Sequence, residues 1–137
     1  MKILKYTFHV IFFLYIALVI FASLYSFKGS GIDLSDYIFG IRADRIVHFI
    51  MFIPYSVCAW LAFGLSFKRV AGKNPVFILF LTGIIISSIT EILQTFSPNR
   101  DFDIYDLSAN YLGIISGSLF VFIMNKCSRN VWPGRLQ

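Results

Sequence analysis

Two of the residues best suited to chemistry stand together at the start of a long apolar stretch. Asp44 and His48 are four residues apart, so an α-helix places both side chains on one face. An imidazole beside a carboxylate acts as a general base or as a metal ligand. It serves equally well as a structural ring that shares a hydrogen bond with Asp44 or Glu91. The sequence leaves both interpretations of His48 open.

A third candidate, Glu91, interrupts an otherwise charge-free stretch of the chain. Because a charged side chain inside a membrane helix is costly, we expect Glu91 to face other helices or water. Gln94 follows about one turn later and extends the same polar face. Glu91 is the leading candidate for a functional group. The alternative is a structural carboxylate that is neutral or paired with Arg45 or Arg100.

The last apolar stretch opens with acidic residues and continues as a polar stripe. Positions i, i+4, i+7 and i+11 share one helix face, and here they are occupied by Asp106, Asn110, Gly113 and Gly117. Asp103 and Asp106 either take part in chemistry or cap the free N–H groups of the helix and complement its dipole. The two glycines form a GxxxG pair, which predicts close packing against another helix.

These residues are carried by a chain that is too apolar for an ordinary soluble domain. Hydrophobic residues make up 58% of the 137 residues and charged residues 14%, whereas soluble domains carry about 25% charged residues. Four apolar stretches are each long enough to cross a bilayer. We therefore predict an all-α membrane protein, a four-transmembrane-helix bundle that forms a single domain over residues 1–137. Its helices are expected at about 6–27, 46–67, 74–97 and 106–125.

The charged residues between these stretches predict the orientation. Basic residues without acids occupy both ends of the chain and the segment between helices two and three. By the positive-inside rule these regions lie in the cytoplasm, so both termini are cytoplasmic. The other two segments are rich in aspartate and lie outside, where Asp33 and Asp36 are expected to cap a short surface helix. Membrane orientation thus explains the net charge of +5, and no nucleic-acid partner is predicted.

In this orientation the polar ends of helices two, three and four lie at one depth, in the outer leaflet. His48, Glu91 and Asn110 then lie beneath a loop rich in aspartate and arginine. Together they are expected to form a polar pocket that faces the extracytoplasmic side of the cytoplasmic (inner) membrane. The lipid bilayer itself is the first predicted partner.

Two motifs carry a family resemblance. The first reads Asp44-Arg45-x-x-His48-Phe49, and the second reads Glu91-x-x-Gln94-x-Phe96-x-Pro98-x-Arg100-x-x-Asp103-x-x-Asp106-x-x-x-Asn110-x-x-Gly113-x-x-x-Gly117. Together they resemble the VanZ-like family of small bacterial membrane proteins, from helix two to helix four. The chain departs mildly from the family pattern, with Arg45 where lysine is more common and Asn99 where glycine often stands. The resemblance implies a link to the cell envelope, because the founding member is associated with low-level teicoplanin resistance.

Three classes of function fit these residues. In the first, the pocket binds a lipid-linked or lipidated envelope molecule, with Arg100 on an anionic head group and the acids and Asn110 on hydroxyls or amines. In the second, an intramembrane enzyme uses His48, Glu91 and Asp106 as acid and base, or holds a divalent metal through oxygen atoms and one imidazole. In the third, the polar residues only hold helices together in an accessory module for a membrane partner. The expected ligand-binding set is Asp44, Arg45, His48, Glu91, Gln94, Arg100, Asp103, Asp106 and Asn110.

The sequence lacks several motifs that would favour catalysis. It contains no nucleophile elbow, no HExxH motif and no phosphate-binding loop. No cofactor is predicted, and a divalent metal belongs only to the enzyme hypothesis. The sequence predicts neither the identity of the ligand nor the oligomeric state.

Overall fold

Four long helices make up almost all of the described structure. The computed structural model describes residues 2–25, 37–72, 74–97 and 101–127, without the side chains of residues 2 and 5. The helices are α1 (Lys2–Leu24), α2 (Ala43–Ala71), α3 (Pro75–Gln94) and α4 (Ile104–Cys127). All four are long and apolar enough to cross a membrane. The predicted all-α bundle of four transmembrane helices is confirmed.

The helix ends differ from the predicted ends by a few residues. Helix α2 extends beyond its predicted range at both ends and runs over Ala43–Ala71 instead of 46–67. At 1.5 Å per residue its 29 residues span about 43 Å, longer than the roughly 30 Å hydrocarbon core. Its first turn contains Asp44 and its last turn contains Lys68 and Arg69. An apolar run marks only the part of a helix inside lipid, so it does not reveal these polar turns.

A short β-hairpin leads into α2. Strands β1 (Tyr37–Ile38) and β2 (Ile41–Arg42) pair antiparallel. The two residues between them both have positive φ, 51° at Phe39 and 79° at Gly40, as in a type I′ hairpin turn. Over these residues the hairpin takes the place of the surface helix expected in this segment. Asp33 and Asp36, which were expected to cap that helix, lie outside the described residues.

The closest helix packing is between α2 and α4, and two glycines make it possible. A Cβ at Gly113 would lie 2.5 Å from the carbonyl oxygen of Phe49, and a Cβ at Gly117 would be closer still to the carbonyl oxygen of Ile53. The α4 backbone therefore lies directly against α2 carbonyls, an approach that only a residue without a side chain permits. The packing predicted from the GxxxG pair is confirmed.

Hydrogen bonds between side chains connect the helices below the polar end of the bundle. Ser56 Oγ of α2 and Ser118 Oγ of α4 are 3.0 Å apart. Tyr55 of α2 donates its hydroxyl to Thr82 Oγ1 of α3, also at 3.0 Å. Such bonds contribute to helix association in lipid, where water does not compete for them. They hold α2, α3 and α4 in one register and so fix the relative positions of the residues above them.

Candidate functional site

All four helices meet at one end of the bundle, which we call the site end. There α1 ends, α2 begins, α3 ends and α4 begins. Gln94 Nε2 donates to the carbonyl oxygen of Ser23 at 3.2 Å, and Ser97 Oγ donates to that of Leu24 at 2.8 Å. Residues at the end of α3 thus satisfy carbonyl groups left free by the last turn of α1. This pairing anchors α1 beside the polar residues of the other helices.

Polar side chains from three helices and the hairpin converge at the site end. We call this group the polar cluster; it consists of Arg42, Asp44, Arg45, His48, Glu91, Asp103, Asp106 and Asn110. The sequence had singled out each of these residues except Arg42. The structure thus brings together residues that are up to 68 positions apart, from Arg42 to Asn110.

A buried hydrogen-bonded chain forms the centre of the polar cluster. His48 Nδ1 is 3.0 Å from Asn110 Oδ1, and Asn110 Nδ2 donates to Glu91 Oε2 at 3.4 Å. Glu91 and Asn110 are 0% exposed and His48 is 3% exposed. Since an amide oxygen only accepts, the proton in the first bond belongs to His48 Nδ1. The other ring nitrogen, Nε2, is then the one that faces Asp106.

Asp103 both caps α4 and connects that helix to α3. Its Oδ1 accepts the backbone N–H of Tyr105 at 2.8 Å, the bond expected of a helix cap. Its own backbone N–H donates to Glu91 Oε1 at 3.4 Å. The capping function considered for Asp103 is therefore confirmed. The same residue also holds the buried carboxylate of Glu91 in place.

Arg42 is the member of the polar cluster that the sequence analysis did not single out. It forms an ion pair with Asp44, and its Nη1 is 3.4 Å from Asp103 Oδ2. Its side chain therefore connects the hairpin and α2 to the start of α4. The sequence signal for this role was a cation two residues before Asp44, just ahead of a predicted helix.

Asp106 points into the bundle, and His48 and Arg45 flank it at distances too long for hydrogen bonds. His48 Nε2 is 3.9 Å from its Oδ2, and Arg45 Nε is 3.9 Å from its Oδ1. Among the described residues, Asp106 Oδ1 and Arg45 Nε are buried without any hydrogen-bond partner. Asp106 is 5% exposed. A buried carboxylate oxygen is thus left available to a further donor.

Among the described residues, one predicted site residue lies away from the polar cluster. Gln94 is buried but faces α1, where it donates to Ser23. Arg100, expected to hold an anionic head group, lies outside the described residues.

The described residues offer acid–base and anion-binding groups, but no ready-made metal centre. Within the described ranges, no group of three or more His, Cys, Asp or Glu side chains is arranged to hold a metal ion. The guanidinium groups of Arg42 and Arg45 are partly exposed and suit an anion. Asp106 suits a hydrogen-bond donor, and His48 Nε2 lies 3.9 Å from its Oδ2.

Comparison with known proteins identifies one relationship. No curated protein and no solved structure matches the chain. The family model for VanZ/LLP1 matches residues 3–125. That match contains all four membrane-crossing helices up to the last residues of α4 and includes every member of the polar cluster. The chain is a multi-pass membrane protein and belongs to the VanZ/LLP1 family.

Proposed function

We propose that this protein binds the polar head of a lipid-linked or lipidated envelope molecule at the site end of the bundle. The observation that carries the proposal is a set of buried ionisable side chains at a single end of a lipid-embedded bundle. Glu91, His48 and Asp106 are all less than a tenth exposed. Ionisable residues inside membrane proteins are costly. They rarely face lipid, and they commonly mark substrate or ion sites.

The polar cluster contains the direct ion pair of Arg42 with Asp44, but its other ion pairs are longer. The contacts of Arg45 with Asp103 and Asp106 are 3.8 and 3.9 Å, and that of His48 with Asp106 is 3.9 Å. These separations are longer than direct hydrogen bonds, and the proposal places a bridging group of the ligand between the paired side chains. A cluster built only for stability gains most when its charges are in direct contact and fully hydrogen-bonded.

Exposed aromatic side chains at the site end support a position at the lipid–water boundary. Phe96 follows α3, Phe102 precedes α4 and Tyr105 lies in the first turn of α4, and all three are exposed. Tyrosine, as at Tyr105, is enriched where membrane helices leave the hydrocarbon core. A lipid head group at this depth would meet Arg42 and Arg45, while its chains lie along the apolar outer surface of the helices.

The proposal places the site end on the extracytoplasmic side of the cytoplasmic membrane. The opposite end of the bundle carries Lys68 and Arg69 at the end of α2 and Lys126 at the end of α4. None of the described residues around these cations is acidic. The positive-inside rule assigns such an end to the cytoplasm, and both termini with it.

A role in glycopeptide resistance belongs to the same proposal, and one substitution tests both. Glu91→Gln keeps the shape of the buried side chain and removes its charge. We expect cells that carry this variant in place of the native copy to lose the envelope phenotype, measured as teicoplanin susceptibility or as the profile of lipid-linked precursors. The purified variant should unfold at the same temperature as the native protein. Asp101→Asn, which changes an exposed acid between α3 and α4, is the matched control and should keep the phenotype.

Two results would contradict the binding function. The phenotype of Glu91→Gln could equal that of the native protein, or the variant could unfold while Asp101→Asn stays folded. Either result would make Glu91 a structural residue and favour an accessory module that holds a partner membrane protein.

One observation favours catalysis as a second candidate function. His48 and Asp106 lie on different helices, both buried, with Nε2 and Oδ2 3.9 Å apart. An imidazole beside a carboxylate can act as acid and base toward a bound head group. The test is incubation of the reconstituted protein with envelope lipids, followed by mass spectrometry of the products. Products formed by the native protein and not by His48→Gln would establish the reaction, and unchanged lipids would argue against it.

A further inference from the structure

Two buried polar atoms face each other across a gap in the polar cluster. Asp106 Oδ1 and Arg45 Nε are both shielded from solvent, and within the part of the chain that the structure describes neither has a hydrogen-bond partner. They are 3.9 Å apart, longer than a hydrogen bond between nitrogen and oxygen. An acceptor that lacks a donor therefore lies opposite a donor that lacks an acceptor.

The surrounding contacts fix the positions of these two atoms. The Arg45 guanidinium lies over the ring of Tyr105, 4.3 Å from its centroid, and Arg45 Nη2 is 3.8 Å from Asp103 Oδ2. Asp106 lies in the first turn of α4, and its other carboxylate oxygen faces His48. With Arg45 held over the ring, its Nε stays 3.9 Å from Asp106 Oδ1. The two atoms are therefore positioned for a third group that lies between them.

A single hydroxyl group satisfies both atoms. An oxygen placed about 2.8 Å from each of two atoms 3.9 Å apart makes an angle of about 90° between them, which allows both hydrogen bonds. A hydroxyl donates its hydrogen to Asp106 Oδ1 and accepts the hydrogen of Arg45 Nε. An ammonium group has no lone pair for Arg45. An ionised phosphate oxygen has no hydrogen for Asp106, and the carboxylate would repel it.

We propose that the ligand of this site presents a neutral hydroxyl group, from a sugar or a glycerol head group, to Asp106 and Arg45. This inference rests on the proposed function, because it takes the polar cluster as the site of a lipid head group. It narrows the ligand class to lipids that carry hydroxyls. It also assigns Asp106 and Arg45 as the pair that recognises them.

The experiment measures lipid binding to the full chain in phosphatidylcholine nanodiscs by native mass spectrometry. The protein is purified in an amine-oxide detergent, because sugar detergents carry hydroxyls of their own. Two probes carry hydroxyls, monoglucosyl diacylglycerol and phosphatidylglycerol, and they distinguish a sugar source from a glycerol source. Two probes lack them, phosphatidylethanolamine and the same glucolipid with its sugar hydroxyls methylated.

Two substitutions disrupt the recognising pair in different ways. Asp106→Asn removes the charge that strengthens the acceptor, and Arg45→Lys keeps a positive charge but removes the Nε donor. Each should weaken binding of the preferred hydroxyl lipid by about tenfold or more, as expected for a lost hydrogen bond to a charged group. Asp101→Asn and Arg69→Lys change exposed residues outside the pair and should leave binding unchanged.

The outcomes separate this inference from the proposed function. The inference is supported if binding of either hydroxyl lipid is weaker in both Asp106→Asn and Arg45→Lys. Should Asp106→Asn fail to fold, the Arg45→Lys result decides the test. Equal binding of the methylated glucolipid, or preferred binding of phosphatidylethanolamine that still depends on Asp106, overturns the inference and leaves the proposed function standing. Lipid binding that depends on neither Asp106 nor Arg45 overturns the inference alone, and if no probe lipid binds, both proposals fail.

Discussion

Replacement of Gly113 by alanine is expected to separate α2 from α4 and to break the centre of the polar cluster. The new Cβ would lie 2.5 Å from the carbonyl oxygen of Phe49, about 0.8 Å inside an ordinary carbon–oxygen contact. The helices must move apart, because the atom in the way belongs to the backbone. The hydrogen bond between His48 and Asn110 crosses the same interface at 3.0 Å. A movement of about 0.8 Å would stretch it beyond hydrogen-bond length.

Opposing effects set the size of the expected change in the free energy of unfolding. Alanine has a higher helix propensity than glycine, which on its own would stabilise α4 by up to about 1 kcal/mol. Overpacking at a tight contact costs about 1–3 kcal/mol. Loss of the buried hydrogen bond costs about another 1–3 kcal/mol. We therefore expect Gly113→Ala to destabilise the protein by about 1–5 kcal/mol, opposite in sign to the propensity effect.

Reversible unfolding in mixed micelles measures this change, and a double-mutant cycle tests its cause. Asn110→Ala should cost less in the Gly113→Ala protein than in the native protein, because the bond to His48 is already broken. Ser116→Ala, on the exposed side of the same helix, is the matched control and should leave stability nearly unchanged. A stabilised Gly113→Ala protein, or full additivity with Asn110→Ala, would refute the link between helix spacing and the polar cluster.

Three further predictions concern capping, helix association and orientation. Asp103→Ala should destabilise the protein by about 1 kcal/mol because the helix cap is lost. Asp103→Asn keeps the cap and should recover most of that stability. Equal destabilisation by the two variants in thermal unfolding would contradict the capping function. A double-mutant cycle between Ser56 and Ser118 should give a coupling of about 0.6 kcal/mol in reversible unfolding, the typical size for a hydrogen bond between membrane helices, and zero coupling would show that the bond contributes nothing. In spheroplasts, a membrane-impermeant maleimide should label a Phe102→Cys protein at the site end and leave Cys127, at the opposite end, unlabelled. The reverse labelling pattern would invert the proposed topology.

Helix periodicity and hydropathy were sufficient to predict the bundle and most members of the polar cluster. Long apolar runs locate the helices because lipid requires every backbone polar group to be satisfied within the segment. The stripe that begins at Asp106 and Asn110 is buried along its length, since residues at those spacings share one helix face. Antiparallel neighbours then bring Glu91 of α3 to the same end as His48 of α2. These are local regularities, and a single sequence contains them.

The remaining features depend on neighbours that spacing alone does not specify. Glu91 and Gln94 are one turn apart on α3, yet Glu91 bonds to α4 residues and Gln94 to the end of α1. Which residue faces which helix depends on the arrangement of the bundle. The hairpin has strands of only two residues, too short for a hydrophobic alternation to be recognised. Arg42 was missed because that hairpin is what directs it toward Asp44 and Asp103.

The most direct test of the central claim is the identity of the lipid that remains bound to the purified protein. Native mass spectrometry would compare the native protein with Glu91→Gln, Asp106→Asn and the control Asp101→Asn, all extracted from the same membranes in an amine-oxide detergent. We expect the native protein and Asp101→Asn to retain the same hydroxyl-bearing lipid, and the two cluster variants to lose it while remaining folded. Identical lipid content in all four proteins would contradict a binding site in the polar cluster.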